Sequence, residues 1–295
     1  MFLFYTIFIN NIYNFLPFIE RHQTPFVFTL YPGGGFQIDN SESDKKIRTV
    51  FSSKYFKKVI VTQKNTRDYL IGKNFCPENK IGFIYGGVLP SDYYKEHAIS
   101  KKYYKKEKNT LDICFVANKY MEKGLDKGFD VFIEVAKNLC EKTKDIFFHV
   151  VSGCGEKEIN VDDIKNRIKF YGLQYRDFFP EFYSKMDIIL SPNRPYILLP
   201  GSFDGFPTGS CAEAGLAGVA VFCSDELNMN VKFKDGEDIK IIPVDASAIA
   251  HTILRYHEES EELYGLASEC QKSFQREFGI NYQMGKRYEI LKNNI

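Results

Sequence analysis

Nine short apolar runs, separated by amphipathic stretches, constrain the fold of this chain more than any other feature. They are FVFTLY (26–31), KVIVTQ (58–63), KIGFIYGG (80–87), DICFVAN (112–118), IFFHVVSG (146–153), IKFYG (168–172), DIILSP (187–192), VAVFCSD (219–225) and IKIIPV (239–244). Continuous apolar character without strict alternation suits strands covered on both faces, as in parallel sheets. The stretches between them have helical period. GFDVFIEVAKNLCEK places Phe129, Phe132, Ile133, Ala136 and Leu139 on one stripe with charges opposite, the pattern of a helix packed on a sheet. The expected class is therefore α/β. A polar, basic stretch, KKYYKKEKNT (101–110), separates the first three runs from the later six. It reads as a solvated linker, and its clustered Lys and Tyr also suit contact with anionic lipid. The division it suggests is residues 1–105 and residues 106–278, followed by a C-terminal helix over 279–295.

The chain has 295 residues and a formal net charge of +1, which gives no global electrostatic footprint for nucleic acid. An anionic partner must be met locally. The seven cysteines are odd in number and scattered without C-x-x-C spacing, and the five histidines are equally dispersed. They read as reduced thiols of a cytosolic protein, and no metal site is expected. Residues 1–19 carry no charge, so a signal peptide or membrane span has to be weighed. Asn10, Asn11, Asn14 and Pro17 interrupt the stretch, and it has neither a basic start nor a small-residue cleavage site. It reads instead as a buried element of a globular domain.

The stretch that carries chemistry is SFDGFPTGSCAEAGLAG (202–218), between the runs DIILSP and VAVFCSD. In a right-handed β-loop-α-β unit, the loop after the first strand lies at the carboxyl edge of the sheet, where α/β proteins bind ligands. The segment reads as a helix beginning near Gly209, with Thr208 or Ser210 as N-cap. Its free N–H groups and the positive end of its dipole favour an anion, and small residues let a phosphate approach. In isolation the motif is equally an ordinary capped helix.

The company it keeps resembles the donor half of retaining GT-B glycosyltransferases, the group 1 or family 4-like enzymes. Their pattern is an acidic residue, Gly-Phe, a short loop and Glu-Ala, then a Gly and an apolar strand. The resemblance implies that Asp204 contacts the donor sugar and Glu213 the ribose hydroxyls. The match departs in two ways: Asp stands where Glu is usual, and eight residues instead of seven separate the pair. Upstream, VANKYMEKGLDKGFDVFIEVAKNL is similar to the family's strand, basic loop and Lys-Gly helix start. Of the pairs Lys123-Gly124 and Lys127-Gly128, the apolar register favours the second. This implies that Lys127, with Lys119 or Asn118, neutralises the nucleotide diphosphate beside Thr208, Gly209 and Ser210. HVVSGCGE resembles the glycine turn next to the base, which puts Gly153 and Gly155 in the donor site; both otherwise serve as turn residues.

In the first half, FVFTLYPGGGFQ resembles a mid-domain strand and loop of the acceptor side. Gly33, Gly34 and Gly35 then line the interdomain cleft or form a flexible turn. The resemblance implies two Rossmann-like domains with parallel sheets. The first is a partial N-terminal acceptor-side domain, the second binds the nucleotide sugar, and the last helix returns toward the first. It also implies transfer of a sugar, with retention, from a UDP- or GDP-type donor to a glycan or lipid-linked acceptor in cell-surface polysaccharide or lipopolysaccharide assembly. No cofactor, metal or protein nucleophile is implied. The implied location is the cytoplasm, with peripheral contact at the inner membrane face. The alternative is a protein that binds the nucleotide sugar without turnover. A dehydrogenase is disfavoured, because no G-x-G-x-x-G follows an early strand.

Overall fold

A computed structural model describes residues 2–295. The chain builds two all-parallel sheets. The first contains β1 (Phe4–Ile7), β2 (Phe26–Leu30), β3 (Phe56–Val61) and β4 (Ile81–Phe83), side by side in sequence order. Every residue of β2 is buried, because helices α1 (Ile9–Arg21), α2 (Ser41–Phe51) and α3 (Lys64–Gly72) carry the crossovers between parallel neighbours. Asn40 starts α2 by accepting hydrogen bonds from the N–H groups of Glu42 and Ser43.

The second sheet contains β5 (Leu111–Ala117), β6 (Ile146–Ser152), β7 (Ile168–Phe170), β8 (Ile188–Ser191), β9 (Ala220–Cys223) and β10 (Lys240–Ile241). Its order is β10-β9-β8-β5-β6-β7. The chain therefore reverses direction across the sheet on either side of β5, and the crevice beyond the carboxyl ends of β5 and β8 is a topological switch point. Helices α5 (Phe129–Lys142), α6 (Phe179–Lys185), α7 (Gly209–Leu216), α8 (Ala246–Glu258) and α9 (Ser260–Phe278) complete this half. Two parallel sheets of this kind make the protein an α/β molecule with two Rossmann-like domains. All nine apolar runs contain strands.

Two stretches differ from their sequence reading. The uncharged start is only partly buried: β1 lies at a sheet edge, and α1 buries Ile9, Ile12, Leu16 and Ile19 but leaves Phe15 and Phe18 exposed. The stretch 101–110 is not a solvated linker. Tyr104 is buried, and its hydroxyl meets Asp145 Oδ2 at 2.5 Å and His257 Nε2 at 2.7 Å. Lys108 Nζ donates to Asp112 and Asp187, each at 2.6 Å. Two buried carboxylates at the amino ends of β5 and β8 need a counter-charge, and this strap supplies it.

The helix α10 (Ile280–Lys292) leaves α9 at Gly279 and packs on the first sheet, where Ile290 and Leu291 meet Val27, Ile60 and Ile84. Gln283 Nε2 donates to the Tyr85 carbonyl at 2.8 Å, and Arg287 Nη2 to the Tyr31 hydroxyl at 3.2 Å. The halves also meet through the Ile38 N–H, which donates to the Gly201 carbonyl at 2.9 Å, and through an edge-on pair of Phe36 and Phe203. Loops following β2, β3 and β4 share cavities with loops following β5 and β8, so the two carboxyl edges face one another.

Candidate donor site between the sheets

The site begins where β5 ends. Beyond Ala117 the chain passes Asn118 and Tyr120 into a 3-10 turn, Glu122–Lys127, and leaves it at Gly128 with φ 70°. A Cβ at Gly128 would lie 2.0 Å from the Pro192 carbonyl oxygen. Only glycine allows this approach, which brings Lys127 against the loop after β8. Lys127 is buried, and its Nζ donates to Asp204 Oδ2 at 2.5 Å, lies 3.6 Å from Asp126 and sits 4.9 Å over the Tyr120 ring.

Asp204 is held from a second side by Asn193 Nδ2 at 2.7 Å. Asn193 is itself fixed at the end of β8: Ser191 Oγ donates to its Oδ1 at 2.7 Å and Ser224 Oγ to its carbonyl at 2.6 Å. Thr208 caps α7, its hydroxyl accepting from the Cys211 N–H at 3.4 Å. The first N–H groups of α7 have no intrahelical acceptor, and Gly209 has open space where a side chain would stand. One turn on, burial pushes the Glu213 carboxyl up, while the phenol of Tyr94, from α4 (Ser91–Glu96), and the Arg176 charge pull it back. Lys127, Asp204, Thr208, Gly209, Ser210 and Glu213 all line one cavity of about 400 Å³, with Asn118, Asn193 and Tyr120.

The other sequence candidates fall elsewhere. Lys119 is ion-paired with Glu158 and does not line this cavity, whereas Asn118 does. Gly153 packs near the Lys119 Cβ, and Gly155 faces open space; neither lines the cavity. Gly33 and Gly34 line a second cavity of about 350 Å³ whose far wall includes Lys127 and Asp204. Gly35 does not, and a Cβ there would strike the Asn10 side chain. All three have positive φ, between 55° and 93°, so the backbone of this loop itself calls for glycine. Sequence reasoning missed Asn193. Its available signal was its place just past the carboxyl end of an apolar run.

Among the described residues, no cluster of three or more His, Cys, Asp or Glu is arranged to hold a metal. The site can bind an anion between an ammonium and a helix start, and hydroxyl groups at two carboxylates.

Two facing Rossmann-like domains with a polar cavity at the switch point of the second define a GT-B type of molecule. Residues 110–259 match the family model for glycosyl transferases group 1, which is half of the chain, and the protein belongs to that family. Among solved structures, HepE of Anabaena in complex with UDP superposes with a TM-score of 0.73 at 17% identity, covering 99% of this chain and 78% of that one. A glycosyltransferase of Rickettsia africae gives 0.69 at 16% identity, covering 97% and 81%. Sucrose-phosphate synthase of Thermosynechococcus elongatus gives 0.67 at 16%, covering 99% and 74%. At these identities the likeness is one of fold. No curated protein sequence matches the chain.

Proposed function

We propose that this glycosyltransferase moves a sugar, with retention at the anomeric carbon, from a UDP- or GDP-sugar to a hydroxyl of a glycan or lipid-linked acceptor in cell-surface polysaccharide assembly. One observation carries the reading: a single cavity gathers the Lys127 ammonium, the start of α7 and the Glu213 carboxylate. Departure of a nucleoside diphosphate needs negative charge stabilised on the leaving oxygen, and an ammonium beside a helix start meets that demand. The acceptor oxygen bonds to the anomeric carbon as the bond to the diphosphate breaks, and the acceptor proton passes to the departing phosphate. No protein nucleophile is assigned.

Asp204 shares Lys127 with the incoming diphosphate and directs its second oxygen to the donor sugar. Glu213 takes the ribose hydroxyls. Thr208, Gly209 and Ser210 meet the phosphates, and beyond the donor and the acceptor the reading calls on no further cofactor. A UDP donor is favoured first, because structures of HepE contain UDP and UDP-glucose. The reading includes a cytoplasmic location, in keeping with seven free cysteines, and peripheral contact with the inner membrane face. Among the described residues no helix is long and apolar enough to cross a membrane.

The test is calorimetric titration with UDP, GDP and their glucose conjugates. Lys127→Ala and Glu213→Ala each weaken binding by roughly tenfold or more, the loss expected for one charge-assisted hydrogen bond. Unchanged affinity in both removes the assignment. Nuclear magnetic resonance of the product's anomeric proton reads retention directly. Donor binding without turnover across a wide acceptor screen returns the protein to the non-transferring alternative.

A further inference from the structure

A third cavity, of about 290 Å³, lies where β3 and β4 end, between Thr62, Gln63, Gly86 and Gly87 on one wall and Asp204, Gly205 and Pro207 to Gly209 on the other. It shares Asp204, Thr208 and Gly209 with the donor cavity, so it adjoins the place where the donor's phosphates are proposed to lie. On its first-sheet wall Thr62 is fully buried and Gln63 is 3% exposed, and neither Thr62 Oγ1 nor Gln63 Oε1 has a hydrogen-bond partner. Two adjacent orphaned oxygens are costly in a protein interior, because each has lost its water without gaining a partner. Native structures keep few such groups, and those they keep call for a partner. Nothing in the secondary structure demands them, since Gln63 stands at the start of α3 without a side-chain capping bond. The Gln63 amide reaches across the cleft, where a Cβ on Gly205 would lie 2.9 Å from its Nε2.

The rest of the lining selects the partner. Phe8, Tyr31, Pro32, Leu89 and Phe278 give apolar surface, and Asp204 is the one charged side chain among the lining residues. A phosphate or carboxylate here would meet a carboxylate and no cationic side chain. An uncharged ring with hydroxyls at its edge and an apolar face fits both walls. Resting on the function proposed above, we propose that Thr62 and Gln63 form the acceptor-specificity subsite, which holds a hydroxyl of an uncharged sugar next to the transferred one. Gly33 and Gly34 belong to the neighbouring cavity, so the acceptor's recognised unit is set by the ends of β3 and β4 as well as by the glycine loop.

The substitution Thr62→Val keeps the shape and removes the orphaned oxygen. A residue with a purely structural role would lose stability by this change, whereas an oxygen awaiting a ligand costs nothing when removed. Saturation-transfer and titration measurements on the full chain, with saturating UDP and also without it, use two probe sets. These are the methyl α- and β-glycosides of glucose, galactose and mannose at millimolar concentration, and dodecyl phosphate.

At least one methyl glycoside is expected to bind. Its affinity should fall roughly threefold to tenfold in Thr62→Val and in Gln63→Leu, as for loss of one hydrogen bond. The melting temperature of Thr62→Val and its UDP affinity should hold or rise. The proposal is overturned if no methyl glycoside binds, if both variants bind it like the parent, or if dodecyl phosphate binds more tightly than every glycoside and loses affinity in the same variants. Loss of UDP binding by the parent protein would instead count against the donor-site reading, and the glycoside comparison without UDP would still decide this one.

Discussion

At the residue scale, the donor cavity depends on groups held where they are expensive to hold. Glu213 is the clearest case: burial raises its carboxyl pKa, and Tyr94 and Arg176 only partly restore it. A carboxylate with a raised folded-state pKa costs stability at every pH above its unfolded value. Glu213→Gln should therefore raise the urea midpoint at pH 7 while it weakens donor binding. The same shift fixes a pH dependence. Ribose hydroxyls donate to the ionised form, so affinity for UDP-glucose should fall as pH drops through a midpoint above the ordinary glutamate value of 4.5. In Glu213→Gln the profile should lose that midpoint; a parent profile that stays flat from pH 7 to 4 would separate Glu213 from the ribose. That Lys127 and Glu213 would come to one cavity was legible, because their motifs put Lys127 just before one helix and Glu213 in the second turn of another, each helix following an apolar strand. Lys119 was not, since its partner Glu158 lies 39 positions away and ion-pair choice at that distance leaves no trace in local pattern.

At the element scale, the strands were read from continuous apolar runs, because burial on both faces writes itself directly into composition. Two elements escaped. The edge strand β1 has alternating partial exposure over only four residues, too short a pattern to separate from the start of α1. The strap at 101–110 looked like linker, because its lysines find their carboxylates only after folding. Lys108 pairs with Asp112 nearby and with Asp187, distant in sequence and just ahead of β8. Burial pushes Asp187 up against the pull of Lys108, whereas at Asp112 the upward push of burial is more than offset by His149 and Lys108. Lys108→Met should remove the one ammonium that bridges both carboxylates, leaving His149 at Asp112 and the more distant Lys101 at Asp187, and cost about 3 kcal/mol or more by urea denaturation at pH 7. The loss should shrink as pH falls and the carboxylates take up protons. An equal loss at pH 7 and at pH 4 would show that the strap acts by packing and not by charge.

At the scale of the whole molecule, the cavities exist because two sheets present their carboxyl edges to each other at a fixed separation. That separation is set by a few close contacts that sequence could not reveal. One is Gly201, whose φ is 75° and where a Cβ would stand 1.9 Å from the Ile38 carbonyl oxygen. The glycine lies in the second half and the oxygen in the first, so no local pattern marks the approach, although the glycine itself is visible. Gly201→Ala must adopt a left-handed conformation costing about 1–2 kcal/mol and also drive the Ile38 strand-exit loop away. The expected outcome is a lower urea midpoint and a larger radius of gyration by small-angle X-ray scattering. The shared cavities should open while UDP still finds Lys127 and α7 within the second half. Gly155→Ala is the matched control: nothing lies within 4 Å of its Cβ, so stability should not change. If Gly201→Ala left both the midpoint and the radius of gyration where they were, the seam at Ile38 would not be what spaces the sheets. The acceptor-side cavities would then owe their width to α10, where Arg287 and Gln283 bridge to Tyr31 and Tyr85.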